Sequence, residues 1–130
     1  MGTFRSFEEI EAWQKSRELT REIYEVSNGG LFRKDFGLRE HIRETTVSIM
    51  SNIAEGFERN GTAEFIQFLS IAKGSVGEVG AQLYVALDQG YIDEETFKRL
   101  SKKAAEIGRM TGKLMNYLKK AKIRGTKYKQ

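Results

Sequence analysis

The sequence predicts an all-α fold, an up-and-down antiparallel bundle of four helices, on three observations. Apolar residues recur at helical spacing in four successive segments. Glycine-containing breaks separate those segments, and the 130 residues contain no proline. No stretch alternates with a period of two, so no sheet is expected. The length fits one domain, large enough to bury roughly two-thirds of its unfolded surface without a metal or disulfide.

The first segment begins at Ser6, where Ser6-Phe7-Glu8-Glu9 reads as a capping box. Ile10, Trp13, Leu19, Ile23 and Val26 carry its apolar stripe, and Ser27-Asn28-Gly29-Gly30 ends it. The second runs from about Asp35 to Arg59 on Leu38, Ile42, Thr45, Ile49, Ile53 and Phe57. Asn60-Gly61 is the predicted stop, because both residue types tolerate positive φ. The third starts at Thr62 as N-cap and carries Phe65, Phe68, Leu69, Ala72, Val76, Val79, Leu83, Ala86 and Leu87, with Gly90 closing it. The fourth is capped by Asp93, with Ile92 and Phe97 placed as a hydrophobic staple. It continues through Leu100, Ala104, Ile107, Leu114 and Leu118. The reading is a bundle over residues 1–120 and a basic, frayed tail over 121–130, because Gly125 and polar residues follow Lys120.

Charge is distributed unevenly. Of 22 basic and 18 acidic residues, eight basic and no acidic ones lie beyond Glu106, which leaves −4 before that point and +8 after it. Those eight are Arg109, Lys113, Lys119, Lys120, Lys122, Arg124, Lys127 and Lys129, the candidate nucleic-acid-binding residues. Lysine and arginine neutralise phosphates and release counterions, and nearby Tyr117 and Tyr128 can stack on bases. The plainer reading is a solubilising tail favoured by cations at a helix C-terminus. The complete lack of interspersed acids favours a polyanion partner.

Catalysis and cofactors find little support. There is no cysteine and one histidine, His41. Thiolate chemistry, zinc–thiolate sites and the paired Glu-x-x-His motifs of di-iron bundles are therefore excluded. His41 and Glu44 read as a polar pair on one helix face. Gly74-Ser75-Val76-Gly77-Glu78-Val79-Gly80 resembles a phosphate loop but lies inside a helical stripe without a preceding strand. These glycines, with Gly108 and Gly112, are expected where a neighbouring helix comes close. Asn52, Glu55, Ser75 and Glu78 form a candidate structural polar cluster that fixes helix register, with a small-ligand or cation site as the alternative. No catalytic residue, metal site or cofactor is predicted. The N-terminus shows no apolar signal region, no run is long enough to span a bilayer, and the cytoplasm is the expected location.

Ser48-Ile49-Met50-Ser51-Asn52-Ile53-Ala54-Glu55-Gly56-Phe57 carries an S-I-x-S-N-I-A-E-G signature. Phe36-Gly37-Leu38 and His41-Ile42-Arg43 precede it, with Trp13-Gln14-Lys15 and Ile23-Tyr24 further upstream. Glu64-Phe65, Phe68-Leu69, Ile71-Ala72-Lys73-Gly74-Ser75, Glu78 and Gly90-Tyr91-Ile92 follow. Over about Phe7 to Leu118 the chain resembles the bacterial four-helix-bundle family encoded in intervening sequences of large-subunit ribosomal RNA genes, often mislabelled as a ribosomal protein. In fold it also looks like the accessory protein of diversity-generating retroelements, a basic pentamer that binds nucleic acid and a reverse transcriptase. The resemblance implies a homopentameric ring. The chain departs from the family's usual prolines at Arg33 and Met50, and has Glu44-Thr45-Thr46 where Arg-Ala-Ala is common. If the family's basic residue there contacts nucleic acid, Glu44 puts that contact in doubt in this chain.

The expected function is that of a non-enzymatic homo-oligomer binding DNA or RNA electrostatically through the basic C-terminal region. The alternative is an assembly scaffold whose ring docks a protein partner such as a reverse transcriptase, without direct nucleic-acid binding. Aromatic residues such as Tyr24, Phe36 and Tyr84 need not all fit one bundle core, and surplus apolar groups commonly mark interfaces.

Overall fold

A computed structural model describes residues 4–128, with side chains through Ala121. A single 3-10 turn, Phe7–Glu9, leads into α1 (Glu11–Val26), α2 (Gly30–Lys34), α3 (Phe36–Glu58), α4 (Thr62–Asp88) and α5 (Glu94–Tyr128). No strand occurs among the described residues. α1, α3, α4 and α5 form the antiparallel bundle, each packed mainly on two neighbours: α1 on α3 and α5, α4 on α3 and α5.

The predicted stripes converge on one core. Leu19, Ile23, Ile42, Ile49, Ile53, Leu69, Val79, Leu83, Leu100 and Ile107 are fully buried. Four fully buried hydroxyls punctuate this core at Ser16, Ser27, Thr46 and Thr111. Each donates to the carbonyl four residues earlier, at 2.6–2.7 Å. That local bond satisfies each hydroxyl as a donor, so Ser16, Thr46 and Thr111 behave as small apolar positions, while Ser27 Oγ also accepts from Arg43 Nε at 2.8 Å.

Several boundaries differ from the sequence expectation. Ser6 makes no side-chain cap, and Glu9 Oε1 accepts the Arg5 N–H at 3.2 Å. The chain is extended at Ile10, and α1 starts only at Glu11. Ile10 is 2% exposed, so burying it outweighs the capping box. α2 is too short to show a periodicity. Gly61 is extended at φ −140° and acts as N-cap in place of Thr62, so the α3–α4 link uses no left-handed residue. The sequence places the end of α5 near Lys120, but its backbone remains helical to Tyr128. One interior glycine costs only about 1 kcal/mol of propensity, and the lysines and arginines around Gly125 are good helix formers.

The expected caps appear elsewhere. Asp35 Oδ1 accepts the Leu38 N–H at 3.1 Å, and Asp93 Oδ1 accepts that of Thr96 at 2.8 Å. α4 ends in a Schellman motif: Tyr91 N–H bonds Ala86 O at 2.8 Å and Gly90 N–H bonds Leu87 O at 3.0 Å. Gly90 takes φ +73°, a conformation that glycine adopts without penalty. Tyr91 then stacks on Phe32 with ring centroids 5.3 Å apart. Its hydroxyl donates to Asp35 Oδ2 at 2.9 Å, fastening α2 to the α4–α5 turn. The Leu38 N–H and that hydroxyl together hold the Asp35 carboxyl below its ordinary value.

The closest helix approach is not at the glycines singled out in the third segment. A Cβ on Gly74, Gly77 or Gly80 would meet nothing within 4 Å. The sequence expectation of close packing there is wrong within one subunit. A Cβ on Gly56 would lie 2.7 Å from Phe68 Cβ and 3.0 Å from Phe65 Cδ1. Gly108 and Gly112 do face α4: a Cβ on them would lie 3.5 Å from Val76 Cγ1 and 3.6 Å from Lys73 Cε respectively. Between α1 and α5, Lys103 Nζ bridges Glu22 at 2.6 Å and Glu18 at 3.4 Å, and Arg99 Nε reaches Glu22 at 3.0 Å. Burial pushes the Glu22 carboxyl up, but the hydrogen bonds from Lys103 and Arg99 outweigh it and hold the group below its ordinary value.

Gly56→Ala should therefore lower Tm by several degrees. Overpacking costs about 1–3 kcal/mol, against a propensity gain of about 1 kcal/mol. Gly80→Ala meets no neighbour and should raise stability by up to about 1 kcal/mol. Thermal melts of the two variants check the pair. A carboxyl depressed on folding stabilises fully above the unfolded pKa, near 4.5, and loses that contribution as pH falls through the folded value. Urea titrations should show Glu22→Gln less stable than wild type by a constant amount above about pH 4.5, with the difference shrinking as pH falls below it.

Candidate nucleic-acid interface

α5 sorts its side chains by helical phase. Leu100, Ala104, Ile107, Thr111 and Leu118 are buried along one side, with Leu114 half-buried between them. The opposite side carries Lys98, Lys102, Arg109, Lys113, Asn116 and Lys120 at steps of three, four and seven residues, all exposed. At 1.5 Å per residue, Lys98 to Lys120 extends about 33 Å. Lys119 is also exposed, next to that row. Among the described residues none of these lysines, nor Arg109, takes part in an ion pair; the α5 cations that do are Arg99 and Lys103, committed to α1. The Lys73 stem on α4 crosses Gly112 and brings a further exposed cation to this side.

Of the eight basic residues singled out by sequence, Arg109, Lys113, Lys119 and Lys120 are thus exposed on α5. Lys122, Arg124 and Lys127 belong to its helical backbone, but their side chains lie outside the described residues, as does Lys129 altogether. Lys98 and Lys102 escaped the sequence reading. They stand among Glu94, Glu95 and Glu106, so the charge around them is balanced along the chain. The usable signal was phase: residues 98, 102, 109, 113 and 120 share one helical face.

The proposed polar cluster is only partly assembled. Ser48 Oγ lies 3.1 Å from Ser75 Oγ and accepts from Asn52 Nδ2 at 3.0 Å, while the same amide reaches Ser48 O at 2.8 Å. Ser48, part of the signature but not of the expected cluster, is the bridging group. Glu55 instead pairs with Arg59 at 2.8 Å. Glu78 pairs with His41 Nε2 at 3.0 Å, which replaces the expected His41–Glu44 contact. Across the same α3–α4 seam, buried Gln82 donates to Thr45 Oγ1 at 3.3 Å, leaving its Oε1 without a protein partner. The seam is a ladder of neutral polar rungs with one exposed His–Glu pair. No group of three or more metal-ligating side chains occurs among the described residues.

No described helix is long and apolar enough to cross a membrane. Among curated proteins the sequence has no significant match. A solved structure similar to this one is a protein of unknown function from the S23 ribosomal protein family of Bacteroides thetaiotaomicron. It has a TM-score of 0.74 and 24% identity, covering 80% of this chain and 97% of the other. That likeness concerns the fold. The family model described as 23S rRNA-intervening sequence protein matches residues 8–113, from the 3-10 turn through most of α5, and the chain belongs to that family.

Proposed function

We propose that this protein is a non-enzymatic, homo-oligomeric nucleic-acid-binding protein that holds phosphates along α5. The observation that carries the reading is the outward row Lys98, Lys102, Arg109, Lys113 and Lys120, exposed and without ion-pair partners among the described residues. Other cations are paired, as Arg59 is with Glu55 and Glu64 or Lys103 with Glu18 and Glu22. A row of like charges repels itself, and an anionic partner relieves that repulsion. Recognition is then sequence-independent, because a straight row of cations reads phosphates and not base edges.

Self-association is supported by α4. Its outward side exposes Ile71, Tyr84 and Val85 at 49%, 59% and 46%. The open Gly74 and Gly77 lie between them in helical phase. A pentamer would bury this side and present five cationic rows at once, turning weak contacts into avidity. The same apolar side favours the second reading, a scaffold whose ring docks a protein partner such as a reverse transcriptase.

Joint replacement of Lys102, Arg109, Lys113 and Lys120 by glutamine should weaken binding to DNA and RNA of any sequence. The slope of log affinity against log salt should fall by about 0.7–0.9 for each phosphate that is no longer neutralised. All four side chains are exposed, so each change should alter stability by about 0.5 kcal/mol or less. Fluorescence anisotropy across a salt series checks this. Wild-type protein with no affinity for either nucleic acid at low salt would leave the scaffold reading standing.

A further inference from the structure

The end of the bundle away from the α5 C-terminus carries a second arrangement that the α5 row does not explain. Tyr24, at the end of α1, leaves 43% of its surface exposed, and Phe36, at the start of α3, leaves 66%. Each ring is backed by an arginine. The Arg43 guanidinium lies 4.6 Å from the Tyr24 ring centroid, and that of Arg39 lies 4.7 Å from the Phe36 centroid.

Neither guanidinium is free to swing away. Arg43 donates to Ser27 Oγ at 2.8 Å and to Tyr24 O at 3.3 Å. Arg39 donates to Glu40 Oε2 at 2.9 Å and to Arg33 O at 3.1 Å. The same Glu40 oxygen lies 4.0 Å from Arg43 Nη1, a longer-range ion pair beside the Arg39 contact. Their side chains are only 17% and 19% exposed. The result is two aromatic rings held in place by locked cations, in a part of the protein where the core does not need them. Rings fixed in advance lose little freedom when a ligand stacks on them.

The surroundings are cationic. Tyr24 lines a shallow cleft of about 550 Å³ with Arg21, Glu25, Asn28 and Arg43. Phe36 lines a neighbouring one of about 580 Å³ that includes Leu31 and Lys34. Arg21, Arg33 and Lys34 are exposed and form no ion pair among the described residues. Glu25 is the acid in the Tyr24 cleft; Asp35 lines the Phe36 cleft but is engaged by the Leu38 N–H and the Tyr91 hydroxyl, and Glu40 pairs with Arg39. Exposed aromatic faces interleaved with unpaired cations suit a flexible single strand, whose bases are free to stack while its phosphates meet the cations. A duplex, with its bases stacked on one another, cannot use the rings.

We propose that the Tyr24–Arg43 and Phe36–Arg39 pairs form a single-stranded nucleic-acid site in which unpaired bases stack on the two rings and Arg21, Arg33 and Lys34 hold the flanking phosphates. It rests on observations independent of the α5 row. Stacking one base on an aromatic side chain is worth roughly fivefold to a hundredfold in affinity.

The test uses the full chain with two labelled probes, a 15-nucleotide oligouridine and a 15-base-pair RNA duplex. In the Tyr24→Leu/Phe36→Leu variant, affinity for the single strand should fall at least tenfold, while affinity for the duplex stays within twofold. Tyr24→Trp/Phe36→Trp should restore single-strand binding, and circular dichroism should show both variants folded. Unchanged single-strand affinity, or an equal loss for both probes, would overturn the site. So would competition by polyglutamate as effective as that by oligouridine at equal charge, since it would show a site for anions and not for bases. If the duplex fails to bind wild type but the single strand binds in a ring-dependent way, the α5 reading falls and this site stands.

Discussion

The approach of α3 to α4 at Gly56 is the contact on which the rest of the molecule depends. A hydrogen in place of a methyl lets Phe68 and Phe65 of α4 lie directly against the α3 backbone. Phe65 then meets Phe57 edge-on, with ring centroids 6.1 Å apart, and Arg59 covers Phe68 at 4.9 Å. With this end pinned, the two longest-paired helices run side by side. That alignment sets Ser48 opposite Ser75, Thr45 opposite Gln82 and His41 opposite Glu78. Sliding α4 by one turn would separate all three pairs, so the seam reports the register that the close approach imposes.

α5 inherits its orientation from this arrangement. It lies on α4 across Gly108 and Gly112 and is tied to α1 through Lys103 and Arg99. Its apolar side is therefore committed to the core. The geometry of an α-helix then fixes where everything else on α5 must go. Two of its cations are drawn toward α1 and paired, and Lys98, Lys102, Arg109, Lys113 and Lys120 stand on the far side as a row. The charge asymmetry visible along the sequence becomes, in three dimensions, an asymmetry between faces of one helix.

Much of the bundle was legible in the sequence. Long segments with a strong apolar period announced themselves, and Asp35, Asp93 and Gly90 marked ends because their local bonds are made within three or four residues. The errors share a cause. Ser6 failed as a cap because burial of Ile10, a tertiary effect, decided where α1 begins. The glycines of α4 looked like packing sites, but residue type does not say which side of a helix they occupy. Gly56 was quoted only within a signature, although it makes the tightest approach. Asn52 and Ser75 were found on correct faces, but Ser48 between them was not, since a serine mid-helix has no distinctive pattern. Tyr24 and Phe36 were recognised as surplus aromatics; the arginines locked beneath them depend on Glu40, Ser27 and two backbone carbonyls from three different elements, which spacing does not reveal.

The proposed function joins two surfaces: an apolar side of α4 that would bring copies together, and a cationic side of α5 that each copy would contribute. Light scattering with and without a random-sequence RNA tests both at once. The account predicts a mass of several subunits for the protein alone, about five if the ring closes as the family resemblance implies, and a further increase when RNA is added at low salt that is reversed at high salt. A monodisperse monomer at micromolar concentration, unchanged by RNA, would contradict it.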